Sequence, residues 1–427
     1  MSELRVRKGG ALRGEVRVPG DKSISHRALI LGALADGENR VRGWLAAGDT
    51  LATLDAMRTL GIDVQRENGN LRFHGGTLRA PGQPVNCGNA GTAIRLLAGL
   101  LAGQSFASVL DGSEQLRARP MRRVTAPLAA MGADIEDTDG RAPLTIYPAR
   151  LAGCAHRLNV ASAQVKSAIL LAGLQAEGWT TVIEPGPSRD HTERMLCAMG
   201  ADVRIDGLRV TVAGGGAPLQ PLDLTIPGDL SSAAFVIVAA ALVPGSDVRM
   251  RGVGLNPTRT GLLDVLRRMG ADISVEDRRE EGGELVGTVR VRGGDLAATE
   301  IAGQDVVRAI DELPILAVAA TQAEGETVIR DAAELRVKEV DRISLLAGEL
   351  RRFGAAVEER PDGMIIGGRA RLRGAAVHSH GDHRLAMAMA VAGLVAEGET
   401  VVQGADCADD SFPGFAATLA RLGAEVG

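Results

Sequence analysis

The sequence predicts an α/β protein of two domains, assembled from six copies of one unit with three copies to a domain. Its length of 427 residues exceeds what one ordinary core organises. A helix-ending glycine followed by a short strand recurs as Leu60-Gly61-Ile62-Asp63-Val64, Met131-Gly132-Ala133-Asp134-Ile135, Met199-Gly200-Ala201-Asp202-Val203, Met269-Gly270-Ala271-Asp272-Ile273, Phe353-Gly354-Ala355-Ala356-Val357 and Leu422-Gly423-Ala424-Glu425-Val426. These glycines stand about 70 residues apart, a period that fills the chain. A second series runs in phase: an apolar helix, a Gly and a β-rich run at 37–41, 103–110, 178–183, 245–250, 325–329 and 398–402.

Each unit therefore reads as helix, Gly, strand, helix, Gly, strand, turn, strand. A Gly just past a helix end is a C′ cap, free to take the left-handed conformation. Polar hairpins close many units, as at Asn68-Gly69 between 64–67 and 70–73. A solenoid of stacked repeats is the competing architecture, but solenoid units are shorter, about 20 to 47 residues.

Composition narrows the function. The chain is 45% hydrophobic and only 2% aromatic, so its cores are aliphatic. Few rings and a net charge of −5 argue against nucleic-acid binding, which needs stacking platforms or a cationic excess. Cys87, Cys154, Cys197 and Cys407 lie far apart with no CxxC pair and read as reduced thiols. The first residues are charged without an apolar h-region, and no apolar run approaches the roughly 20 residues of a membrane helix. A cytoplasmic protein without membrane contact is expected.

The polar residues collect where helices begin. Ahead of the first helices stand Lys22-Ser23 with Arg27, Asn89-Ala90-Gly91-Thr92, Ser162-Ala163-Gln164, Gly228-Asp229-Leu230-Ser231-Ser232, Asp311-Glu312 and Asp382-His383-Arg384. Ahead of the second stand Asp49-Thr50, Arg119-Pro120, Ser188-Arg189-Asp190, Asn256-Pro257-Thr258-Arg259, Lys338-Glu339 with Arg342, and Asp410-Ser411. Asp49-Thr50, Asn256 and Ser411 read as N-caps. Lys22, Arg27, Arg119, Arg189, Lys338, Arg342 and Arg384 do not, because a cation near a positive helix end is locally unfavourable. An anion would reconcile them, so the substrate is expected to be small and multiply anionic. Asp311, Glu312 and Glu339 lie among these cations, where a carboxyl could move protons. For Glu339 the plainer reading is a first-turn acid paired with Arg342.

Other motifs are weaker. Gly20-Asp21-Lys22-Ser23 departs from a P-loop at Asp21, and Glu15 stands where its first Gly belongs. His378-Ser379-His380-Gly381-Asp382-His383 has the HxHxDH spacing of dinuclear zinc hydrolases, but all seven histidines lie at or before His383, so no later ligands complete the set. His378 and His380 then read as exposed loop residues. No GxSxG elbow supports a nucleophilic serine.

The motifs DKSISHRAL (21–29), NAGTAIRLL (89–97), LRARPM (116–121), ASAQVKSA (161–168), SRDHTERML (188–196), IDELPIL (310–316), LRVKEVDRI (335–343) and GDHRLAMA (381–388) together resemble the 5-enolpyruvylshikimate-3-phosphate synthase family, in order and from end to end. The resemblance implies an inside-out α/β barrel in each of two domains, every domain built of three βαβαββ units. It implies domain bounds of 19–226 for one half and of 1–18 plus 227–427 for the other, with helix N-termini facing the interdomain cleft; so many cations facing one another across it predict that the empty enzyme is open. The implied reaction moves the enolpyruvyl group of phosphoenolpyruvate to the 5-hydroxyl of shikimate 3-phosphate with release of phosphate, in the shikimate pathway to aromatic amino acids. No metal and no organic cofactor is expected, and the enzyme is expected to be a monomer.

Carried over by motif, Lys22, Ser23, Arg27, Ser162, Ala163, Gln164, Ser188, Arg189, Asp311 and Lys338 are expected to hold shikimate 3-phosphate. Lys22, Gly91, Thr92, Arg119, Gln164, Arg342 and Arg384 are expected to meet phosphoenolpyruvate, with Asn89 and His383 in support. Asp311 is the implied base for the attacking hydroxyl, Glu339 the acid for the methylene carbon, and Lys22 assists. Ala163 stands where some members have a second Ser, and Asp410 where one branch has a phosphate-contacting Lys. Gly91, where tolerant members often carry Ala, implies sensitivity to glyphosate. The rival within the superfamily is the UDP-N-acetylglucosamine enolpyruvyl transferase, which places a reactive Cys in the loop before the Arg119 position; here 111–119 contains none.

Overall fold

A computed structural model describes residues 2–216 and 218–427. The first helix of each unit is apolar all round, and such a helix belongs at the centre of a domain rather than on its surface. Leu230–Leu242 is buried at every position, Lys22–Gly32 is buried from Ile24 onward, and Gly91–Leu101, Ala163–Gly173, Leu313–Gln322 and His383–Gly393 are nearly as enclosed. Four-stranded mixed sheets, six among the described residues, lie outside these helices. Their strands alternate buried and exposed residues, as in Arg141–Tyr147, which is the pattern of a sheet with one wet face.

Every sheet has the same order. Ala155–Arg157 pairs parallel with Trp179–Ile183, which pairs antiparallel with Arg209–Ala213, which takes Val203–Asp206 at the edge. Two units exchange their opening strands. Asp223–Thr225 supplies the parallel strand beside Glu38–Arg42 in the first unit, whereas Arg13–Val16 lies parallel to Asp247–Gly254 in the fourth. Glu3–Arg7 closes the last unit, pairing with Glu399–Gln403 and Glu425–Val426. The chain divides into two compact units, one made of residues to Pro19, Pro227–Glu280 and Glu284–Gly427, the other of Gly20–Ile226 with Glu281–Gly283.

The glycine repeat has the predicted cause. Gly61, Gly132, Gly200, Gly270, Gly354 and Gly423 all lie at positive φ, between +82° and +103°, just past a helix end. The second series behaves alike at Gly37, Gly178, Gly245, Gly325 and Gly398; Gly103 is the exception, outside the left-handed region. Gly99 serves packing instead, since a Cβ there would stand 2.1 Å from the Ala168 carbonyl oxygen on the neighbouring helix.

Three predicted caps are corrected. Helix Gly48–Thr59 starts after Ala47, and Asp49 pairs with Lys22 instead of capping, while the Thr50 hydroxyl accepts from the Ala47 N–H. Asn256 makes a turn, its side-chain oxygen accepting from the Thr258 N–H ahead of helix Gly261–Arg268. Ser411 follows the 3₁₀ turn Ala405–Asp410 and precedes the left-handed Gly414 that starts Phe415–Arg421. Asp49 and Asn256 thus have side-chain partners other than the first-turn N–H groups of the helices they precede or enter.

His26 lies wholly inside the first unit, its Nδ1 2.7 Å from Thr53 Oγ1 on helix Gly48–Thr59. Burial drives its pKa down to about 3. The unfolded chain therefore takes up this proton first, and stability falls as pH drops below the ordinary value near 6.5 until it levels off near 3. Between pH 7 and 5 this group alone is expected to cost about 2 kcal/mol. Urea unfolding across that range checks it, with His26→Asn expected to show a shallower loss than the parent. Among the described residues, no helix is long and apolar enough to cross a membrane.

Candidate active site

In the unit Gly20–Ile226, three buried helices begin at Lys22, Gly91 and Ala163, and their first turns are joined by side chains. Asp21 caps the first, accepting from the Ile24 N–H at 2.9 Å. Arg27, one turn further and 2% exposed, donates to the Ser23 carbonyl at 3.0 Å, to Thr192 Oγ1 at 2.7 Å and to Ser167 Oγ at 2.8 Å. Arg189 approaches Ser23 Oγ at 3.4 Å. Lys22 Nζ lies 2.9 Å from Asp49 Oδ2, both side chains being mostly buried. Ser162 caps the third helix, and Ser188 donates its hydroxyl hydrogen to Glu184.

Gln164 joins the second and third helices. Its amide donates to Thr92 Oγ1 at 2.9 Å, and its oxygen accepts from Arg95 at 2.7 Å. Arg95 also donates to the Gly91 and Pro120 carbonyls, both at 3.2 Å, which packs it beside buried Arg119. Gly91 makes this possible, because a Cβ there would stand 2.6 Å from Arg119 Nη1 and 2.9 Å from Arg95 Nη1. Asn89 holds the turn ahead of Gly91, donating to Gln115 at 2.6 Å and accepting from Ser113 at 3.1 Å.

In the other unit the carboxylates and cations interlock. Arg342, 1% exposed, reaches Asp382 Oδ2 at 2.8 Å, Glu339 Oε2 at 2.6 Å and Asp311 Oδ1 at 3.5 Å. Burial alone would lower its pKa, but Asp382, Glu339 and Asp311 outweigh that and raise it. Asp311 also faces Lys338 at 3.3 Å and Arg384 at 3.7 Å, and its carbonyl accepts from Arg384 at 3.0 Å. Asp382 caps His383–Gly393 through its other oxygen, accepting from the Arg384 and Leu385 N–H groups, and the adjacent His383 is buried in that first turn. Three cations and three carboxyls are thus concentrated at one set of helix starts. Such an arrangement can bind an anion and move a proton beside it.

Sequence reasoning missed Arg95, Lys166, Ser167 and Thr192, and it misjudged Asp49. The signal for Arg95 and Lys166 was present: each is a charge inside a helix otherwise apolar all round, where only a buried partner stabilises it. Thr192 and Ser167 carried no such mark. Among the described residues, His378, His380, Asp382 and His383 do not gather their ligand atoms into a metal cluster. His380 instead lies 2.9 Å from Glu349, which also accepts from the His378 backbone N–H.

Known proteins resemble the chain over nearly its whole length. The family model described as EPSP synthase (3-phosphoshikimate 1-carboxyvinyltransferase) matches residues 6–419. The chain is 52% identical over 422 residues to the 3-phosphoshikimate 1-carboxyvinyltransferase of Citrifermentans bemidjiense, covering 97% of this chain and 98% of that protein. It is 53% identical over 429 residues to the enzyme of the same name from Acidithiobacillus ferrooxidans, covering 99% and 98%. A solved EPSP synthase from Acinetobacter baumannii superposes with a TM-score of 0.89 at 43% identity, over 100% of this chain and 99% of that one. The enolpyruvyl transferase NikO from Streptomyces tendae shares the fold, with a TM-score of 0.83 at 21% identity over 100% and 98%. With the match running almost from one end of the sequence to the other and through every helix start described above, the chain belongs to the EPSP synthase family.

Proposed function

We propose that the chain transfers the enolpyruvyl group of phosphoenolpyruvate to the 5-hydroxyl of shikimate 3-phosphate, releasing phosphate. The observation that supports the chemistry most directly is the gathering of Lys338, Arg342 and Arg384 around Asp311 and Glu339. Asp311 accepts the proton of the 5-hydroxyl as its oxygen attacks C2 of phosphoenolpyruvate, while Glu339 delivers a proton to the methylene carbon. The resulting tetrahedral ketal then loses phosphate as a proton leaves the new methyl group, which restores the double bond. Lys22, Arg119, Arg342 and Arg384 hold the carboxylate and phosphate of phosphoenolpyruvate, with Gly91, Thr92 and Gln164 shaping that pocket and Asn89 and His383 in support. Ser23, Arg27, Ser162, Ala163, Gln164, Ser188, Arg189 and Lys338 hold the phosphorylated acceptor.

Phosphate release with phosphoenolpyruvate and shikimate 3-phosphate tests this, against UDP-N-acetylglucosamine as the other acceptor. Release with the first pair alone is expected; no release with it would sink the proposal. The rival transferase needs a reactive thiol, and Cys87, in the turn before Gly91, is buried with its thiol pushed up to about 12.

Gly91→Ala separates binding from folding. The atoms it would crowd are guanidinium tips, which can shift, so the fold should tolerate the methyl group. The displaced Arg119 then meets phosphoenolpyruvate poorly. An increase of about 10-fold in KM for phosphoenolpyruvate is expected, with KM for shikimate 3-phosphate within about 2-fold of the parent. Steady-state kinetics with each substrate varied in turn gives the result.

A further inference from the structure

Lys166, 1% exposed on the third buried helix, has no part in the chemistry above. Its ammonium lies 2.7 Å from Glu184 Oε2 and 2.6 Å from Glu193 Oε1, and both carboxyl groups are buried. Glu184 ends the strand Trp179–Ile183 and starts the turn that carries Ser188 and Arg189; its second oxygen, Oε1, accepts the Ser188 hydroxyl. One cation therefore faces two carboxyl groups in a region closed to water. Burial raises the Glu193 carboxyl above its usual value even beside Lys166. Burial works against the Lys166 charge, but Glu193 and Glu184 outweigh it and raise that pKa.

A hydroxyl has one hydrogen to give, and a fully ionised phosphate can only accept. The hydrogen of Ser188 is already given to a carboxylate. We propose that Glu184 is an affinity-tuning residue of the acceptor site, whose carboxyl group holds the Ser188 hydroxyl in place of the substrate phosphate and must be displaced by it. This rests on the reading that Ser188 meets shikimate 3-phosphate. The exchange is mild for Glu184, because Oε2 keeps the Lys166 ammonium when Oε1 gives up the hydroxyl. An acceptor without a phosphate leaves the Ser188 hydroxyl on Glu184 and does not meet this cost. The cost of displacement keeps affinity for the true acceptor below what the same residues could reach.

Calorimetric titration of shikimate 3-phosphate into the full-length parent, Glu184→Gln, Ser188→Ala and the double variant tests this. Glutamine keeps the shape and leaves Lys166 and Glu193 one to one. Its amide oxygen faces the ammonium and its NH₂ faces Ser188 Oγ, so the hydroxyl hydrogen is released and a like charge is removed from the phosphate. Glu184→Gln is expected to bind about 5-fold tighter, a change that structural damage does not produce. Ser188→Ala is expected to weaken binding by less than about 3-fold in the parent but by about 10-fold or more beside Glu184→Gln, where the hydroxyl contributes a full charge-assisted bond. Unchanged or weaker binding by a cooperatively folding Glu184→Gln overturns the proposal. A loss of about 10-fold or more from Ser188→Ala alone also overturns it, and that measurement stands whether or not Glu184→Gln folds. A parent that neither binds nor turns over shikimate 3-phosphate overturns the functional reading and this inference together; a parent that does, with the Ser188 results reversed, overturns this inference only.

Discussion

Glu339→Gln is expected to lower turnover by about 100-fold or more while leaving folding intact, the usual scale for a group that carries a proton in the transition state. Glutamine has nearly the same shape, and its oxygen can still accept from Arg342, which reaches Glu339 at 2.6 Å in the parent. What it loses is the ability to give up and regain a proton. The plainer reading of Glu339, a first-turn acid that steadies Arg342, makes a different prediction: a modest rise in KM for phosphoenolpyruvate with turnover near normal. Steady-state kinetics and thermal unfolding on the same preparation separate the two. Loss of turnover at an unchanged unfolding midpoint supports proton transfer, and near-normal turnover removes Glu339 from that role.

The sequence carried this far because the repeat places chemistry at a fixed phase. Once Gly61, Gly132 and their equivalents mark the ends of the second helices, each helix start can be located, and cations there need a partner that a cap cannot supply. Arg27, Arg119, Arg342 and Arg384 were legible for that reason. Partners across a helix pair were not. Asp49 resembles an ordinary cap until its distance of 2.9 Å to Lys22 is known, and Thr192 is one of many threonines until Arg27 points at it. Strand exchange was half visible. The family resemblance sends the first strand to the C-terminal half, but that Asp223–Thr225 replaces it beside Glu38–Arg42 is a matter of pairing between distant segments, which no local pattern encodes.

Arg342→Met is expected to be among the most damaging single changes in the chain. Methionine fills much of the same volume, so the loss is electrostatic: Asp382, fully buried, gives up the cation 2.8 Å away, Glu339 loses a contact of 2.6 Å, and Asp311 keeps Lys338 and Arg384. Removing one member of a buried pair costs about 3–5 kcal/mol, because the remaining charge has been taken out of water and is no longer compensated. Asp382 is not wholly stranded, since its other oxygen still accepts from the Arg384 and Leu385 N–H groups. That geometry supplies the control. Asp382→Asn in the Arg342→Met background keeps the oxygen that caps His383–Gly393 and removes the unpaired charge, so it should recover most of the lost stability. It should recover none of the activity, because no guanidinium returns to meet phosphoenolpyruvate, and KM for that substrate should stay raised by about 100-fold, the scale of a lost bidentate charge-assisted contact. Urea unfolding and kinetics on both variants decide the matter. An unfolding midpoint untouched by Arg342→Met would show that the carboxylates do not depend on this cation, and activity restored by Asp382→Asn would show that Arg342 acts through the fold and not on the substrate.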